Sequence, residues 1–161
     1  MKDSNRSQID ILLATITTAS IIIFDRVTKL FFAHLLSYGE SLPVIKRVFH
    51  ITMVHNTGIA FGLFKDQGAV FIIIPIIAIG LLGFNIYYYK KNNEALSQTY
   101  IVAFSLILGG AIGNLIDRIV YGYVIDFLDF RIWPVFNVAD SAITIGAIII
   151  GIKCFQLSAK E

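Results

Sequence analysis

Apolar residues in this chain gather into four long blocks separated by polar stretches, at about 9–24, about 69–89, about 100–119 and about 139–157. Each block approaches the ~20 residues that carry a helix across ~30 Å of hydrocarbon. The pattern therefore predicts four transmembrane helices. The first block has an amphipathic continuation that could carry its helix to Leu36. It begins after Lys2 and Arg6, as a signal peptide does. No small-residue cleavage site precedes Asp25 and Arg26, however, and further spans follow, so an uncleaved anchor is expected.

The connections differ in kind. Residues 90–99 are short and polar. Residues 25–68 hold Leu42-Pro43-Val44-Ile45 and Val48 to Val54, which are rich in β-branched and aromatic residues with partial alternation. They predict a small sheet lying on the membrane. Tyr121-Gly122 should end the third helix, and Trp133-Pro134 should bend the connection to the fourth. Gly109-x-x-x-Gly113 and Ala142-x-x-x-Gly146 predict close approach of the third and fourth helices. The expected fold is an all-α integral membrane protein with four transmembrane helices and a small β-rich element from the first loop, about residues 37–66. It forms a single membrane-embedded domain over 1–161.

An even number of spans places both termini on one side. Six Lys and Arg residues lie on that side (Lys2, Arg6, Lys90, Lys91, Lys153 and Lys160) and seven lie opposite, so raw counts do not decide. The denser charge on the shorter terminal-side segments favours that side as the cytoplasmic one. The long loop and the acids between the last two spans then face outward.

Composition agrees with this picture. The chain is 57% hydrophobic and 15% charged, where a soluble domain is nearer a quarter charged. Its mean hydropathy is +0.76. A formal net charge of +2 is too small to imply nucleic acid. The single cysteine, Cys154, excludes an internal disulfide and a cysteine-cluster metal site, and is read as a packing thiol.

The candidate chemistry lies between Leu108 and Ala142, where Asp117, Asp126, Asp129 and Asp140 fall among apolar residues. Carboxylates at a membrane boundary are costly and need a partner or a task. Asp126 and Asp140 are the sharpest pair. Two carboxylates in a poorly solvated site share one proton, so one can deprotonate water while the other activates a carbonyl. Asp140 also has a structural reading, as the first-turn acid of a helix that Asn137 caps. Asp126 has no comparable one.

Asn-x-x-Asp recurs as Asn114 to Asp117 and Asn137 to Asp140, which places amide and carboxylate on one helix face. The two Asn residues could orient the acids or simply bond between helices. Asp117-Arg118 could be a local ion pair closing the third helix, or Arg118 could orient a carboxylate or a substrate carbonyl. Asp25 and Lys29, spaced i,i+4, read first as a structural ion pair. His34, His50 and His55 are too scattered to build a metal site with the acids, and no cofactor is implied.

Taken in order, the blocks Asp25-x-x-x-Lys29, Asn56-Thr57-Gly58-Ile59-Ala60-Phe61, Gly109 to Arg118, Val124-Ile125-Asp126-Phe127 and Phe136 to Ser141 cover nearly the whole chain. In them the chain resembles the lipoprotein signal peptidases, the bacterial signal peptidase II enzymes. Ile59 and Ile125 stand where the family often has Ala and Val, and the segment between Asp126 and Asp140 is compact for it. The resemblance implies an aspartyl endopeptidase of the bacterial inner membrane with cytoplasmic termini and an extracytoplasmic β-rich cradle. Its expected substrates are diacylglyceryl-modified prolipoproteins, cut just before the lipidated cysteine. Membrane lipid, and cyclic-peptide inhibitors such as globomycin, are the other partners it implies, for a monomer. It puts the catalytic pair on Asp126 and Asp140. Asn56, Gly58, Asn114, Arg118 and Asn137 then support the site or contact substrate, with Asp25, Lys29 and Asp117 as further support. A proton- or ion-coupled transporter using the same acids, and a non-catalytic membrane scaffold, are the alternatives from other classes.

Overall fold

The computed structural model describes residues 2–58, Ile76, Gly80 and 97–158. The second apolar block, the 90–96 stretch and the end of the first loop lie outside the described residues.

The first helix, α1 (Lys2–Leu35), absorbs both the first apolar block and its amphipathic continuation. Its surface is inverted relative to a soluble helix. Ile23, Phe24 and Val27 are about 60% exposed, whereas Asp25 and Lys29 are fully buried. Apolar groups outward and charges inward is the arrangement a hydrocarbon solvent selects. Residues Gln8–Leu35 of α1 and the whole of α2 (Gln98–Tyr121) are long and apolar enough to cross a membrane. The last helix, α3 (Val138–Ser158), has a similar length, 21 residues.

Helix α2 buries a stripe of small and polar residues, among them Ala103, Ser105, Gly109, Gly110, Gly113, Asn114 and Asp117. The expected packing through small residues occurs with a different distribution. Gly109 faces α1, where a Cβ would lie 3.0 Å from the Thr18 carbonyl oxygen. Its neighbour Gly110 faces α3, where a Cβ would collide with the Ala139 carbonyl. Gly146 of α3 meets the backbone of Ala103 in α2. Two adjacent glycines thus let α2 contact both α1 and α3 at once, which the Gly109-x-x-x-Gly113 spacing did not convey.

Helix α2 stops where Gly122 takes a left-handed conformation (φ 79°) and its N–H bonds the Arg118 carbonyl at 3.1 Å. Only glycine enters that region without steric cost. The chain then enters a strand that hydropathy alone did not separate from the neighbouring apolar runs. It completes an antiparallel three-stranded sheet of β1 (Ser41–Ile45), β2 (Phe49–Asn56) and β3 (Val124–Asp129), in that spatial order. The register sets Val54 opposite Asp126 and Asn56 opposite Val124.

One sheet face packs on the end of α1 through Leu36, Ile51, Met53, Ile125 and Phe127, with the Phe32 and Phe127 rings 4.7 Å apart. Alternation then turns Asp126 to the opposite face. After β3 the chain folds back so that Phe136 exchanges backbone hydrogen bonds with Leu128. That return lays Asn137, and the start of α3, beside the strand.

Candidate active site

The acids and amides singled out above converge where α1, α2, α3 and the sheet meet. Asp126 is almost wholly buried, at 1% exposure. Its two carboxylate oxygens accept one amide N–H each, Oδ1 from Asn137 Nδ2 at 2.7 Å and Oδ2 from Asn56 Nδ2 at 2.8 Å. Asn56 is itself turned by Gly58, whose backbone N–H donates to Asn56 Oδ1 at 3.0 Å.

Asp140 lies in the first turn of α3 and is half-buried. Its Oδ1 accepts from Asn114 Nδ2 at 2.7 Å. Asn137 caps the helix, accepting the Asp140 N–H at Oδ1 over 2.8 Å, and its own backbone N–H reaches Asp140 Oδ2 at 3.4 Å. The capping role and the proximity to Asp126 therefore coexist. Asn137, fully buried, touches both carboxylates and also donates to Asn114 Oδ1 at 3.0 Å.

Burial pushes the Asp126 carboxyl up to about 7, and the nearby Asp140 charge adds to the rise. The amide bonds from Asn56 and Asn137 only partly offset it. A carboxyl raised this far can gain or lose a proton near neutrality. Asp129 behaves oppositely. Burial alone would raise it, but bonds from the Thr52 hydroxyl and from the backbone and side chain of Arg131 outweigh that and hold it below the ordinary range. Asp129 is occupied in fastening β2 to the turn after β3.

Asp117 belongs to a second cluster, in which Asp25, Lys29 and Asp117 are fully buried and Arg26 partly so. The expected ion pair of Asp25 and Lys29 is present at 2.7 Å, but it is part of something larger. Lys29 Nζ also meets Asp117 Oδ2 at 2.8 Å and Asn114 Oδ1 at 3.0 Å. Asp117 Oδ1 pairs with Arg26, and its Oδ2 accepts the Ile125 N–H at 3.2 Å. Asp25 Oδ1 accepts the Ala139 N–H at 3.0 Å, joining α1 to the start of α3. The ion pairs of Asp117 thus reach across to α1, where a local pair with Arg118 was one expectation. Arg118 instead bonds the Asn114 carbonyl at 3.2 Å and lies within electrostatic reach of Asp140, Asp126 and Asp117.

Arg26 was not singled out from the sequence. The signal was available: a guanidinium next to Asp25 in an otherwise apolar helix requires a counter-charge, and α2 offers Asp117. Of the histidines, His50 lies opposite Asp129 in the sheet. His55 stacks on Tyr123 at 4.0 Å, on the sheet face turned toward α1.

Asn137 bridges the two carboxylates at the ends of membrane-length helices, and comparison with known proteins decides the class of the protein. The family model of signal peptidase (SPase) II matches residues 17–156. This chain belongs to the signal peptidase II family, and it is a peptidase. A lipoprotein signal peptidase of Halothermothrix orenii is 46% identical over 136 residues, spanning 84% of this chain and 90% of the relative. One from Moorella thermoacetica is 43% identical over 137 residues, spanning 85% and 87%. A solved bacterial membrane enzyme, determined by the in meso method, superposes with a TM-score of 0.82 at 36% identity, covering 92% of this chain and 90% of the other. Like that enzyme, the signal peptidase II chain described here is a membrane protein. The transporter alternative finds no support in these relatives.

Proposed function

We propose that this signal peptidase II removes the signal peptide from diacylglyceryl-modified prolipoproteins, cutting just before the lipidated cysteine, with Asp126 and Asp140 as the catalytic pair. The observation that carries the assignment is the shared grip of Asn137 on both carboxylates. The pair holds one proton. Its ionised member takes a proton from a water molecule as that water attacks the scissile carbonyl. Its protonated member gives its proton to the carbonyl oxygen. When the tetrahedral intermediate collapses, the second proton transfer goes to the departing cysteine nitrogen.

Asn56, Gly58, Asn114 and Asn137 orient the acids, and Arg118 supplies positive charge beside them. Asp25, Lys29 and Asp117 tie the helices together beneath. The reading extends to one domain over 1–161 acting as a monomer, with four spans in the bacterial inner membrane, both termini cytoplasmic and the site at the outer face. A half-lipid substrate then meets the acids at the headgroup level, with apolar helix faces beside them for acyl chains.

The test is cleavage by the purified enzyme of one precursor in two forms, diacylglyceryl-modified and with a free cysteine. The modified form should be cut and the free form poorly. Equal cleavage of both would remove lipid recognition, and cleavage of neither would remove the substrate class. Topology is tested by reporters at Met1, Gly39 and Glu161. Only the Gly39 fusion should report outside, and a cytoplasmic signal there would overturn the orientation.

A further inference from the structure

An ammonium group donates three hydrogen bonds and accepts none. Lys29 is fully buried; its Nζ forms ion pairs with Asp25 Oδ2 at 2.7 Å and Asp117 Oδ2 at 2.8 Å, and donates a hydrogen bond to Asn114 Oδ1 at 3.0 Å. The contact with Asn114 therefore decides which way that amide faces. Its oxygen is turned to the lysine, so its NH₂ is turned to Asp140 Oδ1, 2.7 Å away. The same oxygen accepts from Asn137 Nδ2 at 3.0 Å, which turns the NH₂ of Asn137 inward. From there Asn137 reaches Asp126 Oδ1 at 2.7 Å, while its oxygen faces the Asp140 N–H.

The direction of Asn114 is dictated at the lysine end, and Asn137 is held in the matching direction by the Asp140 N–H on its oxygen and by the Ile125 carbonyl, 3.3 Å from its Nδ2. A reversed Asn114 would set a carbonyl oxygen against the carboxylate of Asp140 and an NH₂ against a cation, two repulsive contacts in a dry interior. Two acids and two cations make the surrounding cluster neutral, since Arg26 takes the other oxygen of Asp117. Lys29 is thereby free to spend one proton on an uncharged partner.

We infer that Lys29 is a positioning residue for the catalytic pair: acting through Asn114, it fixes the direction of the amide that holds Asp140. The inference rests on the catalytic assignment given above. It differs from a stabilising ion pair in predicting a kinetic dependence on Asn114.

The test is a double-mutant cycle between Lys29→Met and Asn114→Ala, made with Asp25→Asn as the common background. That background leaves Asp117 paired with Arg26, so loss of the lysine strands no buried charge, and melting temperatures confirm that each protein folds. Lys29→Met should lower kcat on the order of 10²-fold, the usual cost of a misdirected donor in a preorganised site, with KM within about twofold. Once Asn114 is Ala, the same substitution should lower kcat by less than about threefold, because the group it acts through is gone. Losses that multiply, or an unchanged kcat for folded Lys29→Met, would overturn the inference and leave the lysine a structural ion-pair partner. Asp126→Asn and Asp140→Asn are assayed alongside. Activity in either would defeat the catalytic assignment, whatever the cycle gives.

Discussion

Asn137 donates its amide N–H to Asp126 at 2.7 Å while the oxygen of the same amide caps helix α3. One side chain therefore fixes a strand and a helix start relative to each other, and with them the two candidate catalytic acids. Aspartate could cap the helix equally well, but its second oxygen would face the Asp126 carboxylate. Serine could cap it too, without reaching the strand.

Substitution at Asn137 should separate these roles. Asn137→Ser keeps a capping oxygen, so its melting temperature should stay close to wild type while kcat falls on the order of 10²-fold. Asn137→Ala loses the cap as well, at a further cost of about 1 kcal/mol in stability. Equal melting temperatures for the two variants in thermal unfolding would show that the cap is not what Asn137 contributes.

The acids themselves should divide in the same way. Asp126→Asn and Asp140→Asn preserve size and remove charge, and each should reduce cleavage by about 10³-fold or more while the protein still folds. Asp117→Asn breaks ion pairs to Arg26 and Lys29 in a buried cluster. Its effect should appear first as lowered yield and melting temperature, since removing one partner of a buried pair costs about 3–5 kcal/mol. An active Asp126→Asn beside a folded but inactive Asp117→Asn would move the catalytic pair to Asp117 and Asp140.

The raised Asp126 carboxyl has a consequence for stability. Its folded value is about 7 against an ordinary 3.8, because burial and the Asp140 charge favour the protonated form. The folded state then binds the proton more tightly than the unfolded state. Stability from this group is complete below about pH 4 and is lost as pH rises toward 7. Melting curves of wild type and Asp126→Asn should diverge across that window, the variant gaining relative to wild type as pH rises. A difference that stays constant from pH 4 to 7 would contradict the placement of this carboxyl.

Gly110 is the close contact that brings Asn114 to Asp140. A methyl group there would meet the Ala139 carbonyl and, at 2.8 Å, Ile143 Cγ1. Gly110→Ala should push α3 from α2, destabilising by about 1–3 kcal/mol and lowering kcat in the folded protein. Gly122→Ala should lower stability by about 1 kcal/mol through its left-handed backbone, with kcat unchanged. If the two variants show the same kinetics, the helix contact does not govern the site.

Much of this molecule was legible along the chain because hydropathy and turn chemistry are local. Apolar runs of membrane length marked the three described helices, and Gly122 marked the end of α2. The β-branched run at 48–54 marked a strand, and Asn137 and Asp140 carried a capping pattern within four residues. The Asp25 and Lys29 ion pair needed only helical periodicity. Val124–Asp129 was hidden, since an apolar strand beside apolar helices shows no change of composition, and only pairing with β2 defines it. Which cation meets Asp117 was undecidable locally. Arg118 is adjacent in sequence, but the helix directs the Asp117 side chain inward, to Arg26, 91 positions earlier, and to Lys29. Sequence alone determined which residue types stand at the ends of the spans. Tertiary packing decided who pairs with whom, because a buried charge takes the partner that helix crossing brings within about 3 Å, and that crossing depends on where two glycines let backbones touch.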